Sequence, residues 1–277
     1  MSTPSSQPTI LTCALVGGVP STNPHHPQTA ADLIRHGIGA ARAGASILHI
    51  HARTEDGQAT QDADAYRLIA EGIRAEAPDV ILNFTTGGSP GMSDDERLAS
   101  VRGGSELASL DAGSMNFGAD DEFVFVNTHA FMARAAREMA ELGVKPELEC
   151  FDTGMVMAAR ELIDRGLVAH PPLFQLVLGV RGGAPARVDT LSHLASLLPQ
   201  GAIWGAFAIG RAHLPIMAAT LALGGQIRTG MEDVAYLSAG VHAESNAQLV
   251  ERAAGVCRDL GREVATPQEA REILGLS

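Results

Sequence analysis

Aromatic side chains are scarce in this chain of 277 residues, making up 4% of the composition with a single tryptophan. The core must therefore be built mainly from aliphatic residues, alanine and glycine, as tightly packed layers of helix on sheet permit. Cysteine is scarce too. Cys13, Cys150 and Cys257 are an odd number without CxxC or CxxH spacing, which indicates neither a disulfide framework nor a cysteine zinc cage. We expect a protein of a reducing cytoplasm.

Long hydrophobic runs and an excess of basic residues are also missing. No apolar run reaches the roughly 18 to 20 residues that span a bilayer. The start, MSTPSSQPT, lacks the charged-then-apolar form of a signal peptide. Lys and Arg number 20 against 32 Asp and Glu, so the net charge is −12, which argues against a nucleic acid or an anionic membrane as partner. These absences predict a soluble metabolic protein.

What the chain does contain is a regular alternation of short apolar runs with amphipathic stretches, the pattern of repeated βα units. The predicted strands are residues 9–16, 46–52, 79–86, 107–114, 146–151, 173–180, 202–210 and 226–232. The predicted helices are residues 29–44, 62–76, 93–101, 128–142, 155–165, 187–198, 213–223 and 245–261, with a further one at 266–276. Eight βα units favour a closed barrel over an open sheet. We predict one (β/α)8 TIM-barrel domain over residues 1–277 with an additional C-terminal helix.

Polar residues stand at the carboxyl ends of several predicted strands, where a barrel of this kind gathers its chemistry. Such groups would be costly inside an isolated apolar strand, but they become reasonable if they converge on one mouth. The polar residues in these positions are His49, His51, Thr85, Thr86, Asp111, Ser114, Glu149, Arg228, Glu232 and Asp233.

The stretch ILHIHART, residues 47–54, carries two histidines in a strand that is otherwise apolar. Side chains alternate across a strand, so His49 and His51 point to the same side. A pair of hydrogen-bonded core histidines is one interpretation, and two ligands of one metal ion is the other. Catalytic zinc takes about three protein ligands, with His2Glu a familiar set. Glu232 is the best third ligand, although a helix-capping acid fits its position as well.

The other polar residues leave alternatives open. Asp233 is a general base or a loop residue facing solvent. Arg228 either pairs with Asp233 or binds a substrate carboxylate with two hydrogen bonds. Glu149 lies between apolar neighbours and should be buried, either paired or protonated. The segment TTGGSPG, with Gly87 and Gly88, is a backbone nest for an anion or simply a turn.

Taken together, the segments resemble the β-keto acid cleavage enzymes, and the match runs in order from about residue 9 to 276. The matching segments are TCALVGG, LHIHAR, FTTGG, LASLDAGSMNFG, PELECFDTGM, FQLVLGVRGG, AIGR, RTGMED, AESNAQLV and GREVATPQEAREILGL. The resemblance implies a homotetrameric TIM-barrel enzyme that depends on zinc or another divalent metal. It also implies two small-molecule substrates, a β-keto acid and acetyl-CoA, which yield acetoacetate and a new acyl-CoA by Claisen and retro-Claisen chemistry.

The resemblance also assigns roles by motif position. It implies that His49, His51 and Glu232 are the metal ligands and that Arg228 and Asp233 are the catalytic pair. The further catalytic residues it implies are Thr85 and Glu149, with Glu149 as the supporting acid. The substrate-binding positions are Val19, Thr86, Gly87, Gly88, Ser109 and Asp111.

Three positions depart from the family pattern. Val19 stands where the family member that acts on an amino substrate carries an acidic residue, so we expect keto acids with a neutral or apolar tail to be preferred. Asp111 replaces the commoner asparagine, and Val234 replaces the asparagine that usually follows Glu-Asp. Both changes alter hydrogen bonding around the metal ligands and hence the properties of the metal.

Two rivals differ in class from this interpretation. One is a zinc-dependent hydrolase on a similar barrel, which would use metal-bound water and need no acetyl-CoA. The other is a ligand-binding relative that has kept the fold and lost turnover. The retained ligand set and the Arg228 and Asp233 pair argue against the second rival.

Overall fold

A computed structural model of the chain describes residues 7–18, 21–89, 91–117 and 123–276. The strands in these ranges are β1 (Leu11–Ala14), β2 (Ile47–Ile50), β3 (Ile81–Thr85), β4 (Leu107–Asp111), β5 (Met115–Phe117), β6 (Phe123–Phe125), β7 (Lys145–Cys150), β8 (Leu173–Leu178), β9 (Ile203–Ala208), β10 (Gln226–Thr229), β11 (Tyr236–Ser238) and β12 (Val241–His242). The helices are α1 (Ala30–Arg42), α2 (Ala63–Arg74), α3 (Asp94–Leu98), α4 (His129–Glu141), α5 (Thr153–Asp164), α6 (Val188–Ser196), α7 (His213–Ala222), α8 (Asn246–Asp259) and α9 (Pro267–Leu274). Two short 3₁₀ turns lie at Ala99–Gly103 and Gly210–Ala212.

Eight of these strands close into one parallel barrel in the order β1-β2-β3-β4-β7-β8-β9-β10. The ring closes where Leu11 on β1 pairs with Ile227 on β10. Helices alternate with the barrel strands along the chain, which confirms the predicted (β/α)8 barrel. No helix in the described part of the chain is long and apolar enough to cross a membrane.

Two antiparallel hairpins, β5 with β6 and β11 with β12, were not predicted. Their strands are two or three residues long and only partly buried, so they carry too little apolar periodicity to be recognised. Both follow a barrel strand directly, β4 in one case and β10 in the other. They therefore extend the loops at the carboxyl ends of the strands.

The outward faces of the strands form the main core with the helices. Leu48 and Ile50 on β2 are buried in the same cluster as Leu33 on α1 and as Ile69 and Ile73 on α2. Burying each such side chain contributes about 1.5 to 3 kcal/mol. The helix α1 begins at a capping box in which Thr29 accepts from the backbone N–H of Asp32.

Inside the barrel, the inward positions change from aliphatic at the bottom to polar at the mouth. Strands alternate their side chains, so positions two residues apart share a face. The change is from Ile47 to His49, from Ile81 to Asn83 and Thr85, and from Leu107 to Ser109 and Asp111. The sequence itself thus decides which end of the barrel can carry chemistry.

The bottom of the barrel is covered by α9, which confirms the additional C-terminal helix. Its buried residues Ala270 and Leu274 pack in one cluster with the lowest apolar layer of the barrel, formed by Ile10, Ile47, Ile81, Leu107 and Leu173. Pro267 at the start of the helix and the cap residue Thr266 fix where it begins. The floor is therefore apolar and closed, and the polar end is left as the site.

Candidate active site

His49, His51 and Glu232 converge at the mouth of the barrel. The strand β2 ends at Ile50, so His49 lies inside it and His51 lies one residue beyond. Nε2 of His49 is 3.7 Å from Oε2 of Glu232, and Nε2 of His51 is 3.5 Å from Oε1. One ligand atom from each of the three residues lies within 4.8 Å of the others. The structure therefore brings together the predicted metal ligands.

The protonation of these residues suits a divalent cation. Burial lowers the pKa of His49 to about 3, so its imidazole is neutral with a lone pair available. Burial alone would raise the pKa of Glu232, but the neighbouring positive charge of Arg228 outweighs it and holds that pKa well below its ordinary range. Oε1 of Glu232 accepts from Arg228, while the buried Oε2 has no hydrogen-bond partner in the part of the chain that the structure describes. Two imidazoles and this free carboxylate oxygen fit a zinc-type ion.

A turn at Gly230 positions Glu232 and Asp233 at the mouth of the barrel. The strand was predicted to run to residue 232, but β10 ends at Thr229 because Gly230 adopts a φ of +138°. A Cβ on Gly230 would lie 2.0 Å from the carbonyl oxygen of Ala14, so only glycine fits against β1 at this point. Glu232 therefore sits in a turn rather than in the strand.

The guanidinium of Arg228 is the centre of the carboxylate cluster. Its Nε and Nη2 donate to the two oxygens of Asp233 at 3.0 and 2.9 Å. Nη1 donates to Glu149 at 2.9 Å and Nη2 to Glu232 at 2.7 Å. The ring of Phe207 lies 4.1 Å below the guanidinium carbon and adds a cation–π contact. Of the interpretations left open for Arg228, the structure favours pairing with Asp233.

Burial raises the proton affinity of other carboxylates near Arg228, in contrast to Glu232. It raises the pKa of Asp233 to about 6, although Arg228 opposes the shift. Burial also raises the pKa of Asp111, and that of Glu149 well above its usual range. A carboxylate with a pKa near neutrality is suited to take up and return a proton.

A family model described as beta-keto acid cleavage enzyme matches residues 8–276. The chain belongs to the β-keto acid cleavage enzyme family. It is 41% identical over 269 residues to the 3-keto-5-aminohexanoate cleavage enzyme of Fusobacterium nucleatum, a match that covers 96% of this chain and 97% of that protein. It is 36% identical over 290 residues to the 3-dehydrocarnitine:acetyl-CoA trimethylamine transferase of Rhizobium meliloti, over 96% of each chain.

Among solved structures, a ternary complex of ObcA with a C4-CoA adduct and oxalate superposes with a TM-score of 0.76 at 21% identity. The match covers 91% of this chain and 68% of that one. This likeness supports the barrel fold. Because the chain belongs to the β-keto acid cleavage enzyme family, the protein is an enzyme.

The end of β3 and the loop after it supply the predicted hydroxyls and glycines of this family member. Thr85 accepts from the backbone N–H of Gly87 at 2.9 Å, and Gly88 turns the chain with a φ of +70°. Thr86 donates its hydroxyl proton to the carbonyl of Ser109 at 2.6 Å, which ties the loop to β4. A shallow recess at this loop is lined by Gly18, His51, Arg53, Thr85, Gly88 and Ser89, among other residues.

The remaining substrate positions fall in two groups. Ser109 and Asp111 are on β4, where Asp111 pairs in register with Glu149 and so joins the carboxylate cluster. Val19 lies outside the described residues. Its neighbour Gly18 is close to the site, since a Cβ there would be 3.7 Å from Nδ1 of His51.

Sequence reasoning missed two residues that hold this mouth together. Glu147 is on the same inward face of β7 as Glu149, two residues earlier, and the alternation of the strand could have revealed it. Arg97 is buried between the rings of Phe125 and Phe131 and donates to the carbonyl of Thr86 at 3.0 Å. Arg97 lies in a short, highly charged helix, where nothing in the local pattern marks it as buried.

Proposed function

We propose that the protein condenses a β-keto acid with acetyl-CoA to give acetoacetate and a new acyl-CoA. One observation carries this proposal: a buried carboxylate of raised pKa, Asp233, is held by Arg228 directly beside the cluster of His49, His51 and Glu232. The name of the Rhizobium meliloti relative, which includes acetyl-CoA, supports the choice of co-substrate.

His49, His51 and Glu232 are the residues that would hold zinc or another divalent cation. A bound cation supplies a Lewis acid that stabilises negative charge on the oxygens of the keto acid. The open side of the ligand set faces the mouth, where the side chains of His51 and Glu232 are each 16% exposed. The backbone N–H of Gly88, in the turn after β3, is a candidate for holding the substrate carboxylate.

The proton chemistry belongs to the carboxylate cluster. Asp233 takes a proton from C2 of the keto acid, and Arg228 fixes the orientation of Asp233 with two hydrogen bonds. Glu149 holds the other end of the guanidinium. Thr85 and Ser109 offer hydroxyls on the neighbouring strands for the substrate oxygens.

One C–C bond then forms and another breaks, in two steps. The C2 carbanion attacks the acetyl thioester and the thiolate of CoA leaves, so a new C–C bond replaces the C–S bond. The thiolate adds to the original ketone carbon, the bond between that carbon and C2 breaks, and the electron pair returns to C2 with a proton from Asp233. The products are acetoacetate and the CoA thioester of the remaining acyl group.

The assembly of the enzyme is part of the proposal. The resemblance implies a homotetramer, and the two hairpins expose apolar side chains that are candidates for contacts between subunits. These side chains are Val124, Tyr236 and Val241, each more than two fifths exposed.

An assay of the purified protein, loaded with zinc, tests the proposal. A panel of β-keto acids is supplied with and without acetyl-CoA, and acetoacetate and acyl-CoA are measured. We expect both products, in equal amounts, only when acetyl-CoA is present. Cleavage of the keto acids at the same rate without acetyl-CoA would contradict the proposal and favour the hydrolase. A His51→Ala variant controls for contaminating activity.

A further inference from the structure

Among the described residues, two neighbouring buried atoms beneath the ligand set have no hydrogen-bond partner. These atoms are Nδ1 of His49 and Oδ1 of Asn83. The two residues are direct partners in the register of β2 and β3, so their side chains stand side by side inside the barrel. His49 is 1% exposed and Asn83 is fully buried, so bulk water does not compensate either atom. An imidazole N–H and an amide oxygen are a matched donor and acceptor.

Glu147 determines which way the amide of Asn83 points. Nδ2 of Asn83 donates to Oε2 of Glu147 on β7, across the intervening β4. Both residues are on the inward faces of their strands, so this bond crosses the barrel interior. With its nitrogen bound to Glu147, the amide has only its oxygen left to offer to His49.

The position of the proton on the imidazole of His49 explains what this arrangement does. Its Nε2 is the nitrogen that faces Glu232, at 3.7 Å from Oε2. A neutral imidazole that binds a cation through Nε2 must carry its proton on Nδ1, and histidine ligands commonly donate that second N–H to a fixed acceptor.

We propose that Asn83, oriented by Glu147, accepts a hydrogen bond from Nδ1 of His49 and thereby holds His49 in the tautomer that binds a cation through Nε2. Asn83 and Glu147 are positioning residues, since they act on the cation through His49. The inference rests on the proposed divalent-cation site. It extends that site to two residues outside the ligand set, to which the motif resemblance assigns no role.

Cation affinity tests the inference without any assay of turnover. The zinc affinity of the whole protein is measured by competition with a chelator for the wild type, Asn83→Leu and Gln175→Leu. Gln175 is the matched control, since it is another buried amide inside the barrel, with its Nε2 also unpaired, but it pairs in register with Glu149 and Gly205 rather than with His49. We expect Asn83→Leu to weaken zinc binding by roughly 10- to 100-fold and Gln175→Leu to leave it within about threefold.

An exchange of the two groups separates orientation from simple packing. In the double variant Asn83→Asp with Glu147→Gln, the carboxylate and the amide change places. The new carboxylate can accept both from His49 and from the new amide. We expect this variant to recover zinc affinity to within about threefold of the wild type, in contrast to Asn83→Leu. Weak binding by the double variant, if it is folded by circular dichroism, would overturn the proposal.

The tautomer can also be read in the wild type alone. In the ¹⁵N-labelled, zinc-loaded protein, nitrogen chemical shifts should show a proton on Nδ1 of His49 and none on Nε2. The opposite tautomer would overturn the inference. A wild type that binds no zinc would overturn the cation site itself, whereas tight zinc binding by Asn83→Leu would overturn only the role of Asn83.

Discussion

The guanidinium of Arg228 donates to Glu149, Glu232 and Asp233 and so ties the expected cation ligand to the expected base. Removing Arg228 would leave buried carboxylates without a counter-charge, a change that costs about 3 to 5 kcal/mol and obscures any catalytic effect. Asp233 is a cleaner residue to change, because an amide of the same shape can remain beside the guanidinium.

Asp233→Asn should leave zinc content intact while lowering kcat by roughly 10² to 10⁴, the usual scale for a positioned acid or base. The amide keeps the shape of the side chain and cannot accept the C2 proton. Asp259→Asn, at the exposed end of α8, is the matched control and should behave like the wild type. Metal analysis and steady-state rates check both. Near-normal turnover in Asp233→Asn would show that the proton goes elsewhere.

Val19 is the position where substrate preference is expected to differ within the family. A cationic tail that loses water without gaining a carboxylate costs of order 1 to 3 kcal/mol. We therefore expect neutral β-keto acids to be favoured over 3-keto-5-aminohexanoate by roughly ten- to a hundredfold in kcat/KM. Val19→Glu should narrow or reverse that ratio. Equal kcat/KM values for the two substrate types in the wild type would disprove the expectation.

At the residue scale, the sequence predicts ligands better than it predicts their neighbours. Strand alternation places His49 and His51 on one face of an apolar strand and so indicates a metal site, although a pair of hydrogen-bonded core histidines fits the same pattern. Asn83 is not recognisable in the same way. A single asparagine in an apolar strand gives no sign that it contacts Glu147, which lies 64 positions further along the chain.

At the scale of elements, the turn after β10 decides whether the site assembles. Gly230 combines a positive φ with close approach to the backbone of β1, and Glu232 and Asp233 follow it directly. The position of β10 in the eighth βα unit made the strand predictable. Its end was not, because the close approach that requires Gly230 comes from β1, more than 200 positions earlier.

Gly230→Ala should reduce zinc affinity by more than roughly tenfold, because a Cβ 2.0 Å from the carbonyl oxygen of Ala14 forces the turn to move. Gly224→Ala is the matched control. Gly224 has a φ of +87°, but no atom of the described ranges lies within 4 Å of its Cβ position. The substitution should therefore cost only about 1 to 2 kcal/mol of stability and keep zinc binding. The zinc affinity of both variants is measured by competition with a chelator. Wild-type zinc affinity in Gly230→Ala would refute the role of the turn.

At the scale of the whole molecule, the aliphatic residues that stabilise the barrel and the polar residues of the candidate site are at opposite ends of the barrel. The floor closed by α9 is aliphatic, while the mouth holds buried charge. The barrel itself was predictable, because eight apolar runs alternate with amphipathic helices and a closed sheet is the usual outcome. The antiparallel hairpins at the mouth were missed, since loops that add a few strand residues leave no periodic signal.

Leu274→Ala should lower the free energy of unfolding by about 2 to 5 kcal/mol, since it opens a cavity in the buried floor. Activity measured at a temperature where the variant stays folded should be unchanged. The control is Leu260→Ala, because Leu260 is 46% exposed and its loss should cost little stability. Denaturation curves and kcat/KM values test this separation. Lost turnover in a folded Leu274→Ala protein would show that floor and mouth are not independent.

The most direct test of the proposed reaction follows the acetyl carbons. The zinc-loaded enzyme is given an unlabelled β-keto acid and acetyl-CoA with ¹³C at both acetyl carbons, and the products are examined by NMR and mass spectrometry. Condensation followed by cleavage predicts acetoacetate labelled at C3 and C4 and an acyl-CoA product without label. Unlabelled acetoacetate, or cleavage that leaves the labelled acetyl-CoA intact, would contradict it.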